Sequence, residues 1–326
     1  MKLRVIAILG GILMAGSLSA QTLTNVINEF NAGVEMLNNQ EYESSVEHFN
    51  KVLELAEVVG DSAADLKIKA MEQIPLAYYR KAIVLLKQKQ YEDAIPYLEQ
   101  TIELSKQYNN NEESRQKASG YLLQSYMMAG QNSYKNDSYQ DALGYMDKAL
   151  AMNDNIYQAH QLKGMIYLSQ DKTDDMLEEF NKAKEGAGAK NDTKTVDEIN
   201  QVINEYYDKI IKDEFEAVDP EDNDYTYVIE ACENALAANE KNPRALYYLA
   251  LVHNKMVEYD AAIDYAQKAL EYETNPVWIS AIYYELGYAY QNIVEYDKAC
   301  EALKKVVEEP FRAQAERKMG MIPGCE

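Results

Sequence analysis

Residues 250–270, ALVHNKMVEYDAAIDYAQKAL, decide the architecture. Tyr259, Ala262, Ile263, Ala266, Ala269 and Leu270 lie 3, 4, 7, 10 and 11 residues apart, so they share one stripe of an α-helix of period 3.6. Nine residues before the tyrosine stands Ala250, small enough to let a preceding helix approach closely. The segment predicts a helical hairpin: one helix ending near Lys255, a short turn, and a second helix opening at Tyr259.

Working outward, the same register recurs seven times. The earlier copies are Tyr42-Ser45-Val46-Phe49-Val52-Leu53, Tyr91-Ala94-Ile95-Leu98-Thr101-Ile102 and Tyr139-Ala142-Leu143-Met146-Ala149-Leu150. Thr173-Met176-Leu177-Phe180-Ala183-Lys184 is weaker, and Tyr225-Val228-Ile229-Cys232-Ala235-Leu236 follows. After the quoted copy comes Tyr296-Ala299-Cys300-Leu303-Val306-Val307. Gly33, Ala82, Gly130, Gly164 and Gly287 take the place of Ala250 in five of these, while Glu216 takes it in the fifth copy.

This Gly/Ala, Tyr, Ala, bulky, Ala spacing resembles the tetratricopeptide repeat family, whose unit is 34 residues long. The resemblance implies an all-α, right-handed superhelical solenoid of antiparallel helix pairs, about seven repeats long. It also implies a concave groove, lined by the first helix of each pair, that binds a peptide or protein segment. Three of the spacings between copies exceed 34 by 15, 14 and 18 residues, around 61–74, 112–122 and 193–207. These insertions are helix-compatible and predict lengthened first helices, with Pro75 kinking or breaking the first of them. Asp219-Pro220 predicts a longer loop in the fifth unit. The flexible-looking Gly186-Ala187-Gly188-Ala189 divides repeats 1–4 (residues 21–190) from repeats 5–7 with a carboxy-terminal cap (191–326), as a bend or a hinge.

The first twenty residues read differently. Lys2 and Arg4 precede an apolar run from Val5 to Leu18, then Ser19, Ala20 and Gln21, the layout of a secretory signal cleaved after Ala20. The expected compartment is therefore the periplasm or the cell exterior, with no stable membrane span after signal removal. The 326 residues carry 32 basic and 54 acidic side chains, a net charge of −22 that becomes −24 once Lys2 and Arg4 are removed. Such a surface repels phosphate backbones and argues against nucleic acid as a partner.

Catalytic chemistry has little support. His48, His160 and His253 have no histidine partner at helical spacing, and the sequence holds no HExxH helix, phosphate loop or nucleophile elbow. Neither a metal nor a cofactor is expected. Asp219, Glu221, Asn223 and Glu230 fit part of a calcium-loop register, but Asp224 stands where the turn glycine belongs, which favours a capped loop. Cys232 takes a core place, as a buried thiol would. A short helix over 310–319 would return Cys325 towards Cys300, leaving open a disulfide between them in an exported chain.

On the geometry the resemblance implies, the groove candidates are Tyr79 and Ile83 in the second unit and Met127, Gln131 and Tyr134 in the third. In the sixth they are Tyr247, Leu251 and Asn254, and in the seventh Tyr284, Tyr288 and Gln291. Tyrosines interleaved with amides suit peptide backbones and sugar rings alike. Some members of the family grip a terminal carboxylate with a basic cluster, but Arg80 and Arg244 stand alone here. The expected function is a non-catalytic scaffold for a neutral or basic protein segment; the alternative is a carrier of a small ligand such as a glycan.

Overall fold

A computed structural model describes the backbone of residues 6–325 and the side chains of residues 22–325. The secretory-signal reading of residues 1–20 lies outside the residues whose side chains are described. Among the described residues the secondary structure is helical throughout, without strands. No described helix is long and apolar enough to cross a membrane.

The chain divides into two compact units, Met1–Ala183 and Lys184–Glu326. In the first, α1 (Ile6–Asn38) pairs with α2 (Tyr42–Val59), and α3 (Ala64–Lys87) with α4 (Tyr91–Gln107). A single 3₁₀ turn, Gly60–Ala63, joins the two pairs. Next come α5 (Glu112–Lys135) with α6 (Tyr139–Met152), then α7 (Tyr157–Ser169) and α8 (Thr173–Ala189). The second unit pairs α9 (Thr193–Ala217) with α10 (Thr226–Ala238), and α11 (Pro243–Lys255) with α12 (Tyr259–Tyr272). It closes with α13 (Pro276–Asn292), α14 (Tyr296–Leu303) and α15 (Phe311–Met319). Within each unit a helix packs on its successor, and first helices also touch the next first helix, as α3 does α5 and α11 does α13.

Each pair closes on a contact between residues sixteen apart in sequence. A Cβ placed on Gly33 would lie 2.8 Å from the Phe49 ring, on Gly164 2.4 Å from Phe180, on Gly287 2.6 Å from Leu303, and on Gly130 2.3 Å from Met146 Cε. The absent side chain of the first helix is therefore filled by the bulky residue of the second, and the stripe around it (Ala94, Ile95 and Leu98; Ala262, Ile263 and Ala266) is buried. Ser45 donates its hydroxyl to the Gly33 carbonyl at 2.8 Å across the same contact.

The turns share a device that glycine did not announce. In all seven copies the residue two before the leading position has positive φ: Gln40, Lys89, Asp137, Asp171, Asn223, Val257 and Val294. In six of them the following N–H bonds the carbonyl five residues back, as Glu258 does His253 and Glu295 does Tyr290, ending the first helix with a Schellman closure.

The insertions are lengthened first helices: α3, α5 and α9 run 24, 24 and 25 residues, against 13 for α7 and α11. Pro75 does not break α3. It sits buried inside a helix that continues to Lys87, with its carbonyl beside the Thr101 hydroxyl. Gly186–Ala189 is likewise no loop but the last turn of α8, where buried Ala187 anchors the backbone and its carbonyl accepts N–H groups from Lys190 and Asp192. The long loop of the fifth unit is present between α9 and α10. There Asp219 accepts from the Glu221 N–H, and Asp224 accepts from the Thr226 N–H and hydroxyl to start α10.

Candidate functional site

Four of the residues singled out by register, Leu251, Asn254, Tyr284 and Tyr288, line one pocket of about 240 Å³ in the second unit, together with Lys255 and Glu285. Helical spacing explains the convergence. Leu251, Asn254 and Lys255 occupy one side of α11, Tyr284, Glu285 and Tyr288 the facing side of α13, and the two helices pack directly.

The floor of this pocket is polar and buried. The Asn254 amide donates to the Glu285 carbonyl at 3.0 Å and to its carboxylate at 2.8 Å. Asn254 is only 3% exposed, and its Oδ1 has no hydrogen-bond partner. Burial pushes the Glu285 carboxyl above its usual range, a shift that the Asn254 hydrogen bond and the charges of Lys255 and Lys318 only partly oppose. Helix α15 sends a side chain over the same tyrosines. Lys318 Nζ sits 4.1 Å from the centre of the Tyr288 ring and 5.7 Å from that of Tyr284. Helix α15 is held there by Phe311, 6.2 Å ring to ring from Tyr284, by buried Ala315, and by a disulfide joining Cys300 to Cys325 with Cα atoms 5.6 Å apart.

A larger recess of about 880 Å³ lies at the other end of α11, walled by the amino-terminal half of α9 and the turns after α10 and α12. Its lining is acids and amides, among them Asp197, Asn204, Asp208, Asn239 and Glu273. Arg244 is not isolated here: its Nε lies 3.0 Å from Glu273 and its guanidinium stacks 3.5 Å from the centre of the Trp278 ring. Asp208 has a buried Oδ1 without a hydrogen-bond partner, and burial pushes its carboxyl up to about 6.

Profiles of the tetratricopeptide repeat match three stretches, 75–108, 229–276 and 280–309. The chain is a tetratricopeptide repeat protein. Solved structures with a similar fold include MamA, 22% identical over 62% of this chain and 96% of its own at a TM-score of 0.30. They also include the TPR2AB domain of yeast Sti1 in complex with pHSP90 (17%, 94% and 97%, 0.34) and TTC0263, a thermophilic protein of Thermus thermophilus (19%, 60% and 97%, 0.26). No curated protein sequence matches the chain.

Not every groove candidate of the tetratricopeptide repeat register reaches the pocket. Tyr247 is buried, its ring 5.2 Å from those of Tyr248 and Trp278, so it packs between helices instead of lining a groove. Gln291 is half-buried one turn beyond Tyr288. In the first unit Tyr79 and Met127 pack on the core around Ala82 and Leu98, with Tyr79 6.5 Å from Tyr121. Tyr134 leans on Tyr139, the leading residue of its own repeat, while Ile83 is half-buried and Gln131 exposed. The histidines are each engaged through Nδ1 by a glutamate: His48 by Glu29, His160 by Glu179, His253 by Glu258. Cys232 is a free, buried thiol, pushed up to about 12 chiefly by burial.

Two features of the site went unread in the sequence. Glu285 carries its own signal, an acid within the buried stripe Ala281, Ile282, Leu286, Ala289. Lys318 carries none, because its place over Tyr288 depends on how α15 folds back.

Proposed function

We propose that this tetratricopeptide repeat protein is an exported, non-catalytic scaffold that holds a neutral or basic protein segment against α11 and α13. The observation that carries the reading is the convergence of Leu251, Asn254, Tyr284 and Tyr288 on one pocket whose buried Asn254 acceptor lacks a partner. A backbone N–H or a side-chain donor of a bound segment would satisfy that acceptor, and the tyrosines supply large contact area at low entropic cost. The acid-rich recess at the other end of α11 and the net charge of −22 support a partner that is not acidic. Export rests on the amino-terminal pattern of Lys2, Arg4 and the run from Val5 to Leu18.

The test is an array of tiled envelope-protein peptides probed with the full mature chain. Captured peptides should be neutral or basic, and Tyr288→Ala or Leu251→Ala should weaken capture about tenfold, as loss of a buried contact residue does. Saturable oligosaccharide binding lost in the same variants, without peptide capture, would replace this reading by a glycan carrier. Finding Met1 at the amino terminus of the protein from envelope fractions would remove the cleaved signal.

A further inference from the structure

Over two of the tyrosines that line the α11–α13 pocket stands a side chain borrowed from far along the chain. Lys318 places an ammonium over the faces of two tyrosines, the arrangement by which aromatic rings attract cations. Its position is nevertheless incomplete. Among the described residues the charge that acts on Lys318 is that of Glu285, felt at a distance and not through a hydrogen bond. Burial depresses the Lys318 ammonium below the usual lysine range, so the group is held at a cost that no direct carboxylate contact offsets. One layer deeper, Glu285 is almost wholly buried with Asn254 as its hydrogen-bond donor, and Asn254 Oδ1 accepts nothing.

The pocket thus holds an ordered set of groups, aromatic faces outside and an unmet amide oxygen beside a carboxyl inside, that matches a long cationic side chain. Lys318 reaches the outer layer and stops. It comes from α15, which is joined to the pair α13–α14 through a small apolar cluster and the Cys300–Cys325 disulfide, so the lysine side chain can leave the rings while the cap stays attached.

We propose that this pocket is the seat for a lysine or arginine side chain of the bound segment, and that Lys318 holds the seat in the free protein as an internal competitor. The proposal rests on the groove reading above and names the chemistry that the groove selects. An incoming lysine replaces Lys318 over Tyr284 and Tyr288, then extends inward so that its ammonium donates to Asn254 Oδ1 and faces Glu285. Selectivity follows from the difference between the two occupants, one hydrogen-bonded at the floor and one not.

The probe is a blocked heptapeptide, Gly-Ser-Gly-Lys-Gly-Ser-Gly, compared with the same peptide carrying norleucine in place of lysine. Binding is read by NMR of the full chain with ring-labelled tyrosine, the Tyr284 and Tyr288 signals being assigned by their Phe variants. The lysine peptide should shift both signals, and its apparent Kd should tighten about tenfold in Lys318→Ala, the effect of freeing a seat occupied about nine-tenths of the time. The norleucine peptide should shift neither. Lys318→Gln, which removes the charge but keeps a polar side chain only one atom shorter, should reproduce the tightening. In both variants Cys232 should remain the one thiol that reacts after denaturation without reductant, showing that the cap is still pinned. Equal Kd in the wild type and both Lys318 variants, or equal binding of the norleucine peptide, overturns the proposal. If array peptides bind without regard to lysine, the seat fails and the groove stands. If no array peptide binds while the lysine probe still shifts the two rings, the groove reading fails and the seat stands.

Discussion

Glu179 in the first unit and Glu285 in the second are both buried on the packed face of their helices, and the two are treated in opposite ways. Glu179 in the first unit receives His160 Nδ1 at 2.5 Å and Lys163 Nζ at 3.1 Å, with Lys182 at 3.7 Å. Burial alone would raise its carboxyl, but the hydrogen bonds from His160 and Lys163 win and hold it below the usual range. Glu285 in the second unit is enclosed more deeply still, Asn254 is its one side-chain hydrogen-bond donor, and burial wins, so its carboxyl is raised. A buried acid with a full set of cationic partners is a structural fastener. One left short of partners beside a pocket is a place where something else binds.

The largest way to break this contrast is to remove each acid. Glu179→Ala takes the carboxylate from His160 and leaves Lys163 only the exposed Asp147, and should destabilise the first unit by about 3 kcal/mol, the scale for breaking a buried pair. Glu285→Gln keeps an acceptor for Asn254 and should change stability by no more than about 1 kcal/mol. Urea unfolding measures both, and equal losses would erase the distinction.

Acid titration separates the units next. Glu179, lowered when folded, contributes stability that is present above its unfolded value and is lost as the pH falls through the folded one, below about 4.5. Asp208, raised from 3.8 to about 6, binds its proton more tightly in the folded state. The second unit therefore gains stability as the pH falls from about 6 towards 3.8, and Asp208→Asn should abolish that gain. Hydrogen exchange of α7–α8 against α9–α11 across this range should show opposite slopes.

Helix starts differ too. Asn242 and Asn275 cap α11 and α13 through N–H groups in the first turn, each followed by proline, whereas α2, α4, α6 and α7 begin without a side-chain cap bond. Asn242→Ala should cost about 1–2 kcal/mol and Ser138→Ala almost nothing by thermal melting. The smallest effect concerns the left-handed turn residues. Val294→Gly should stabilise by about 0.5–1 kcal/mol, because a β-branched residue at φ 67° is strained, while Asp137→Gly should be near neutral.

The repeat was legible because it depends on volume at fixed separations: Gly33 with Phe49 and Gly287 with Leu303 can be read from the sequence as pairs. Four of the six residues lining the pocket were legible for the same reason, since Leu251, Asn254, Tyr284 and Tyr288 stand at set offsets from Ala250 and Gly287. Tyr247 was misplaced because its neighbour in space, Trp278, comes from the next pair and turns that position inward. A break at Pro75 does not occur, because a proline deprives a long helix of one N–H bond without having to end it. The recess beside α9 was invisible, for it depends on how far an inserted half-helix projects past the turns at Asn239 and Glu273.

Of the three cysteines, two are bonded to each other and the third is out of reach. Disulfide exchange needs a thiolate with access to sulfur, and Cys232 offers neither, being fully buried with its thiol pushed up to about 12. Once α9 and α10 close over it, the oxidised chain has a single accessible pairing, so correct cross-linking of the cap requires no proofreading by an isomerase.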